Sequence, residues 1–428
     1  MESGSTIIDT ASIIDAANPP AVAAGSERGK DRRRASGMPG ALVIGGAHGS
    51  LGVVRSLGRR SIPVWFLTHD HPITRYSRYA RSSFEWRGPG REESADDLIS
   101  FGRKHHLEGW VLFPGGDAEA NCISQNHDRL SEVFRVTTPP WETVQWAADK
   151  RLTYECAARV GIGYPMSYYP ADRDAAAEVP CRFPAVMKPA NREKPNPFTL
   201  AKAWRIEDRE ALLRRYDEAA GYVGNEGIIV QEMIPGNGMA QFSFAAVCDC
   251  GVPVASLVAK RARQYPIDFG FTSTFVTSIE QPELEDIACR FLRAVGYTGM
   301  VELEFKYDAR DGVFKILDFN ARTWTWQALG SLAGVDFTHV MWRMAMGEKV
   351  ERMRGRAGVS WVHFSRDLVA AWQEMRAGSL SLADYLKSLR TPLEFAAFAK
   401  DDPLPGIMDL PLMVKRTMRR WFPVGAAS

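Results

Sequence analysis

No stretch of the 428 residues approaches the ~18 consecutive apolar positions that a membrane-crossing helix needs. A transmembrane segment is therefore not expected. Cysteine is scarce, with six scattered residues. Only Cys248 and Cys250 lie close together, in VCDCG, and no second CxC or CxxC completes a zinc set. A zinc centre is not expected on that ground, and a reducing cytoplasm is the simplest location. An excess of one charge is also missing: 53 Lys and Arg against 51 Asp and Glu leave +2. No basic field argues for a nucleic-acid partner. What is present is the profile of a soluble globular chain, 45% hydrophobic and 24% charged.

Residues 1–37 are rich in Ala, Ser, Gly and Asp and end in the basic run GKDRRRAS. Asp9 and Asp15 interrupt any apolar core, so a secretory signal is excluded and a disordered tail is expected, or an extension upstream of a start near Met38. Order is expected from GALVIGGAHGSLGVVRSLGRRSIPVWFLT. It reads as a strand at Ala41, a turn of Gly45, Gly46 and Gly49, a helix, and a second strand ending at Leu67. WVLFPGGDAEANCISQN repeats that logic, and residues 38–140 are read as a Rossmann-like α/β domain. The glycine spacing is GGxxGxxG rather than GxGxxG, with Asp70 after the second strand as a possible ribose partner. A dinucleotide-binding oxidoreductase is thus one reading. An anion site at the amides near His48–Ser50 is another.

Residues 141–345 mix helices with hairpins, an α+β pattern. The hairpin of MVELEFKYDARDGVFKILDFNAR carries the densest chemistry. Strand alternation puts Glu302 and Glu304 on one face, and Asp318, Asn320 and Arg322 on one face of the partner strand. Carboxylates that close repel, and a divalent cation with oxygen ligands, Mg²⁺ or Mn²⁺, relieves the conflict. Parity does not separate Glu302 from Glu304 as the first ligand. Lys150 opens a helix, Lys188 ends the strand FPAVMKP, and Lys202 follows a Pro- and Asn-rich loop, positions from which lysines can reach phosphate. VQEMIPG, with Gln231, Glu232 and Ile234, offers backbone groups to a purine edge. Arg261 and Arg263 in AKRARQYP, with Arg322, are expected to clamp a carboxylate and an acyl phosphate, and DFGFTST is read as a loop over the acceptor site. Beyond 345 the chain reads as a helical C-terminal segment, whose LMVKRTMRRWF mixes basic and apolar residues like a surface-seeking helix.

In that order the motifs resemble the ATP-grasp superfamily, through DKRLTYECAARVGIGYP, FPAVMKP, IIVQEMIPG, VELEF and LDFNAR, and most closely its carboxylate–amine ligase branch. The resemblance spans about residues 41–345. It implies a Rossmann-like N-terminal domain, a two-lobed ATP-grasp fold with its small lobe at about 180–236, and a helical segment from 346 to 428. It implies ATP and Mg²⁺ (or Mn²⁺) as cofactors, with Lys150 and Lys188 on phosphates and Lys202 near the phosphate-covering region. Gln231, Glu232 and Ile234 would line the nucleotide strand, Glu304, Asp318 and Asn320 would hold the metal, and Arg322 and Arg263 would serve the transferred group. The activity implied joins a small carboxylate to an amine through an acyl phosphate. Peripheral membrane contact by the C-terminal helix and a homodimer are further expectations. The sequence departs from the family where Asp318 stands in place of a usual Glu and Ala321 in place of a frequent Pro. A nucleotide-binding protein without turnover is the third reading.

Overall fold

The computed structural model describes residues 38–190, 196–201, 203–236, 238–266 and 272–421. The tail 1–37, Lys202, and residues 268–271 of DFGFTST lie outside them.

The first unit is a parallel five-stranded sheet in the order Ala80–Glu85, Val64–Thr68, Ala41–Ile44, Val111–Pro114, Arg135–Val136. Its central strand is wholly buried because both faces are covered. Val43 and Phe66 enter one core, and Leu42, Ile44 and Leu67 pack with Leu98, Leu112 and Ile123 in another. A run without alternation is what a doubly covered parallel strand requires.

The remainder is built on a small antiparallel sheet and a large, mainly antiparallel one. The small one orders Ser167–Tyr168, Ile228–Glu232, Ala185–Pro189 and Trp204–Ile206. The helix Arg209–Val223, capped by Asp208, covers it with Leu212, Tyr216 and Ala219. This lobe therefore begins earlier than 180, since Ser167 pairs with Gln231. The large sheet runs from the hairpin Gly299–Asp308 and Val313–Asn320 through Gln241–Asp249, Val252–Tyr265 and Thr272–Ile279. Its lower face carries Phe244, Val301, Leu303, Phe305 and Phe319 against the helices Lys150–Arg159 and Pro282–Val295. Its upper face sets Ala245 and Leu257, with Trp324 of the segment after the last hairpin strand, in one core with Val43, Leu57 and Phe66 of the first unit.

The segment after 345 is not purely helical. Met353–Arg354, Ser360–Val362 and Leu393–Phe395 add strands to the large sheet, and Val362 pairs with Phe275. Strands of two or three residues are too short to show a period-2 pattern among helices. The last helix, Leu404–Trp421, leaves Ile407, Leu410 and Val414 exposed. Among the described residues no helix is long and apolar enough to cross a membrane.

The C-terminal segment is tied to the first unit by Arg55, which is 3% exposed. Its Nε donates to Asp402 Oδ2 at 2.9 Å and its Nη2 to the Ala397 carbonyl at 2.6 Å. Asp402 also accepts from Ser77 Oγ at 2.7 Å and from the Arg78 amide at 2.9 Å. Asp402→Ala strands a buried guanidinium and is expected to cost about 3–5 kcal/mol of stability. A urea-denaturation loss below about 1 kcal/mol, the scale of an exposed pair, would refute the role given to this contact.

Candidate functional site

The acid face forms where one strand changes sides. Along Gly299–Asp308 the register pairs Glu302 with Asn320 and Glu304 with Asp318, then slips so that Phe305 meets Ile316. Leu317 is the extra residue of a β-bulge, and its carbonyl accepts from Tyr154 Oη at 3.2 Å. Phe314 and Ile316 therefore join the lower apolar core, while Asp318 and Asn320 stand on the upper face beside Glu302 and Glu304.

Each acid there has its own partners. Glu302 is buried; its Oε1 accepts from Trp326 Nε1 at 2.9 Å and Ser243 Oγ at 3.0 Å, and its Oε2 from Asn320 Nδ2 at 3.3 Å. Burial, then the neighbouring Glu304 carboxylate, push the Glu302 pKa up to about 7. Glu304 meets Arg261 Nη2 at 3.2 Å and Asn320 Nδ2 at 3.4 Å. Asp318 meets Lys150 Nζ at 2.6 Å. Burial opposes the charge on Lys150, yet Asp318 holds its pKa above the ordinary lysine value. The face thus bears more negative charge than its buried setting tolerates without cations.

Lys188 Nζ donates to Gln231 Oε1 at 2.7 Å, and Gln231 Nε2 donates to Tyr154 Oη at 3.1 Å and Ser167 Oγ at 2.8 Å. Gln231 is buried, so its side chain braces Lys188 and the small sheet. Glu232 turns its carboxylate to Arg310 at 2.9 Å and Lys315 at 3.3 Å, and its amide bonds to the Met166 carbonyl at 2.9 Å. The Ile234 carbonyl accepts from Lys306 Nζ at 2.8 Å.

Arg263 does not reach this face. Arg261 pairs with Val276 but Arg263 with Phe275, so a bulge at Ala262 sends the two arginines to opposite sides. The Arg263 guanidinium is buried, donates to both oxygens of Asp367 at 2.9 and 2.8 Å, and lies 4.1 Å from the Phe275 ring centroid. It anchors the C-terminal segment, and the catalytic expectation for it is corrected.

Arg322 joins the acid face to a cleft. Its Nη2 donates to Asn320 Oδ1 at 3.0 Å and its Nε to Asp117 Oδ1 at 2.6 Å. Burial opposes its charge, but Asp117 holds its pKa above the usual guanidinium value. The cleft has a volume of about 230 Å³ and lies among Gly46–Gly49, Gly115–Asp117 and Arg322–Thr325, with Asp70 and Glu119 on its wall. His69 Nε2 sits 2.6 Å from Glu119 Oε1. The sequence reading passed over Asp117 and Glu119; their signal was their place just after a strand-ending glycine turn.

The glycines beside the cleft have a local cause. Gly46 takes φ +75, where side-chain-bearing residues are strained. A Cβ on Gly49 would sit 2.9 Å from the Trp324 carbonyl, and one on Gly52 would sit 2.3 Å from Gln327 Nε2. The helix His48–Gly58 needs the gaps at Gly49 and Gly52 to pack on the segment after Arg322, which gives those two glycines a packing role.

The family model for "Carbamoyl-phosphate synthase L chain, ATP binding domain" matches residues 271–353. A D-aspartate ligase of Enterococcus faecium (strain Aus0004) is 27% identical over 227 residues, 50% of this chain and 53% of that protein. The chain thus spans about half the length of that relative. Among solved structures, the biotin carboxylase domain of Hydrogenobacter thermophilus 2-oxoglutarate carboxylase, in complex with MgADP, ADP and bicarbonate, superposes with TM-score 0.59 at 15% identity, covering 76% of this chain and 74% of that one. The L-amino acid ligase of Bacillus licheniformis gives 0.56 at 14%, covering 76% and 78%. N5-carboxyaminoimidazole synthetase of Staphylococcus aureus gives 0.57 at 11%, covering 79% and 86%. At these identities the structures speak for a common fold.

One pH dependence follows from the acid face. The folded pKa of Glu302, about 7, lies above its unfolded value near 4.5, so the folded chain binds a proton that the unfolded chain releases between them. The stability this proton brings is fully present below 4.5 and is lost as the pH rises to about 7. Glu302→Gln lacks that loss. Without divalent cations, its urea midpoint is expected to gain on wild type across this window, and a difference that stays constant with pH would refute the assignment.

Proposed function

We propose that the chain is an ATP-grasp enzyme that activates the carboxylate of a small amino acid with ATP and passes it to an amine. The observation that carries this reading is Arg322, one side chain bonded to both the acid face and the cleft. The cleft's polar wall suits an amino acid: amides at the N-terminus of the helix His48–Gly58 and Arg322 for a carboxylate, and Asp70, Asp117 and Glu119 for an ammonium group. The names of the D-aspartate ligase and L-amino acid ligase relatives support the same class.

In this reading a substrate carboxylate oxygen bonds to the γ-phosphorus of ATP and the bond to ADP breaks. The acyl phosphate is then opened by the amine nitrogen, which loses a proton as inorganic phosphate leaves. Glu304, Asp318 and Asn320 would hold Mg²⁺ (or Mn²⁺), which supplies charge neutralisation to the phosphates. The residues fit such an ion: all donors are oxygen, and Glu304 stands directly opposite Asp318 across the hairpin. Glu304 is favoured over Glu302 as the first ligand because it stands opposite Asp318, while Glu302 Oε1 is taken by Trp326 and Ser243. Lys150 would move from Asp318 to phosphate once a metal replaces it. Lys188, braced by Gln231, would meet phosphate from the small lobe, and the strand through Glu232 and Ile234 would face the purine. Arg322 would hold the carboxylate and stabilise charge on the transferring group.

A screen of amino acids and amines for ADP and phosphate release with Mg-ATP tests the proposal. Turnover is expected with a carboxylate–amine pair and absent in Asp318→Asn; turnover unchanged in that variant would place the chemistry elsewhere. Arg322→Met should lower kcat by about 10²–10³ with ATP affinity by calorimetry intact, and a rate within about threefold of wild type, far below that range, counts against it. Lys188→Ala is expected to weaken ATP binding by about 1.5–3 kcal/mol; unchanged affinity removes Lys188 from the nucleotide site.

A further inference from the structure

A second polar cluster lies behind the cleft. His48 opens the helix His48–Gly58, His363 follows the strand Ser360–Val362, and Asp409 lies on the helix Leu404–Trp421. They are 5%, 2% and 8% exposed. His48 Nε2 is 2.9 Å from Asp409 Oδ1 and His363 Nε2 is 3.8 Å from the same oxygen. The two imidazoles stand edge to face with centroids 4.3 Å apart.

The hydrogen-bond network leaves one group without a proton partner. Ser365 Oγ donates to Asp409 Oδ2 at 2.7 Å, so its lone pair accepts from His363 Nδ1 at 3.2 Å. Burial disfavours the imidazolium form, so a proton on Nδ1 leaves Nε2 with a bare lone pair. That atom is buried and has no hydrogen-bond partner. It faces a carboxylate oxygen at 3.8 Å with no proton between them. A cation resolves this arrangement.

We propose that His48, His363 and Asp409 bind a divalent transition metal of the zinc type, which clips the C-terminal helix to the first sheet unit. Their ligand atoms all lie within 4.8 Å of one another, a grouping found here among the described residues. Tetrahedral bonds of 2.0–2.1 Å put ligand atoms about 3.4 Å apart, and the observed 2.9 and 3.8 Å bracket that value. Two imidazoles and one carboxylate select zinc over magnesium, so this centre is chemically separate from the all-oxygen acid face. Ser365 supplies the outer hydrogen bonds, fixing the His363 tautomer and steadying the carboxylate. Water completes the coordination.

The full chain tests it, with zinc as the probe. After dialysis against zinc in excess magnesium, metal analysis is expected to find a single bound equivalent, and cobalt in its place to show the visible absorption of a four-coordinate site. His363→Gln and Asp409→Asn should each weaken zinc by about tenfold or more, and zinc should raise the melting temperature of wild type but not of these variants. Glu304→Gln, on the acid face, should keep the zinc. Circular dichroism identifies a variant that fails to fold, and the other then decides. Zinc absent from wild type, retained undiminished by the folded variants, or lost with Glu304→Gln would each overturn the proposal.

Discussion

Glu302 and Glu304 are two residues apart on one strand and point to one buried face, and the rest of the site follows from managing their repulsion. Asn320 donates toward both carboxylates. Trp326 and Ser243 hold the deeper one, whose pKa is pushed up to about 7, first by burial and then by its neighbour. Lys150 and Arg261, from different elements, come to the outer acids. In the function proposed here, a metal bound at these acids would free Lys150 toward phosphate. In that proposal, the crowding of acids on one buried face would favour Mg²⁺.

Much of this was legible in the residues because its signals are local. The hairpin turn at DARDG, the strand-ending Lys188, and the βαβ unit from Ala41 each follow from patterns within a few residues, and the structure holds these elements. What escaped depends on register. The bulge at Leu317 lets Ile316 and Asp318 share parity in sequence yet face opposite sides. The bulge at Ala262 does the same to Arg261 and Arg263, and it turns an expected clamp into an anchor for Asp367. No local pattern announces either, since a bulge is fixed by what the neighbouring strands pair with.

The glycines teach a related lesson. GGxxGxxG invites a phosphate-binding interpretation because close approach is what such glycines permit. Here the space above Gly49 and Gly52 is filled by Trp324 and Gln327 of the same chain. The identity of the approaching group, backbone or ligand, is a long-range fact. His48, His363 and Asp409 show the same limit: the first and last are 361 residues apart, and a search for metal sites by short spacing has no purchase on them.

The two centres meet at one helix. His48 is the first residue of His48–Gly58 and lines the cleft, while its ring turns back toward Asp409. The amides of that N-terminus, proposed above to meet a substrate carboxylate, have their position set on one side by Trp324, two residues beyond Arg322, and on the other by the C-terminal helix. Arg55, seven residues further along the same helix, takes its buried partner from Asp402. The C-terminal segment thus braces the helix that forms one wall of the cleft, which gives a physical reason for the proposed metal clip there.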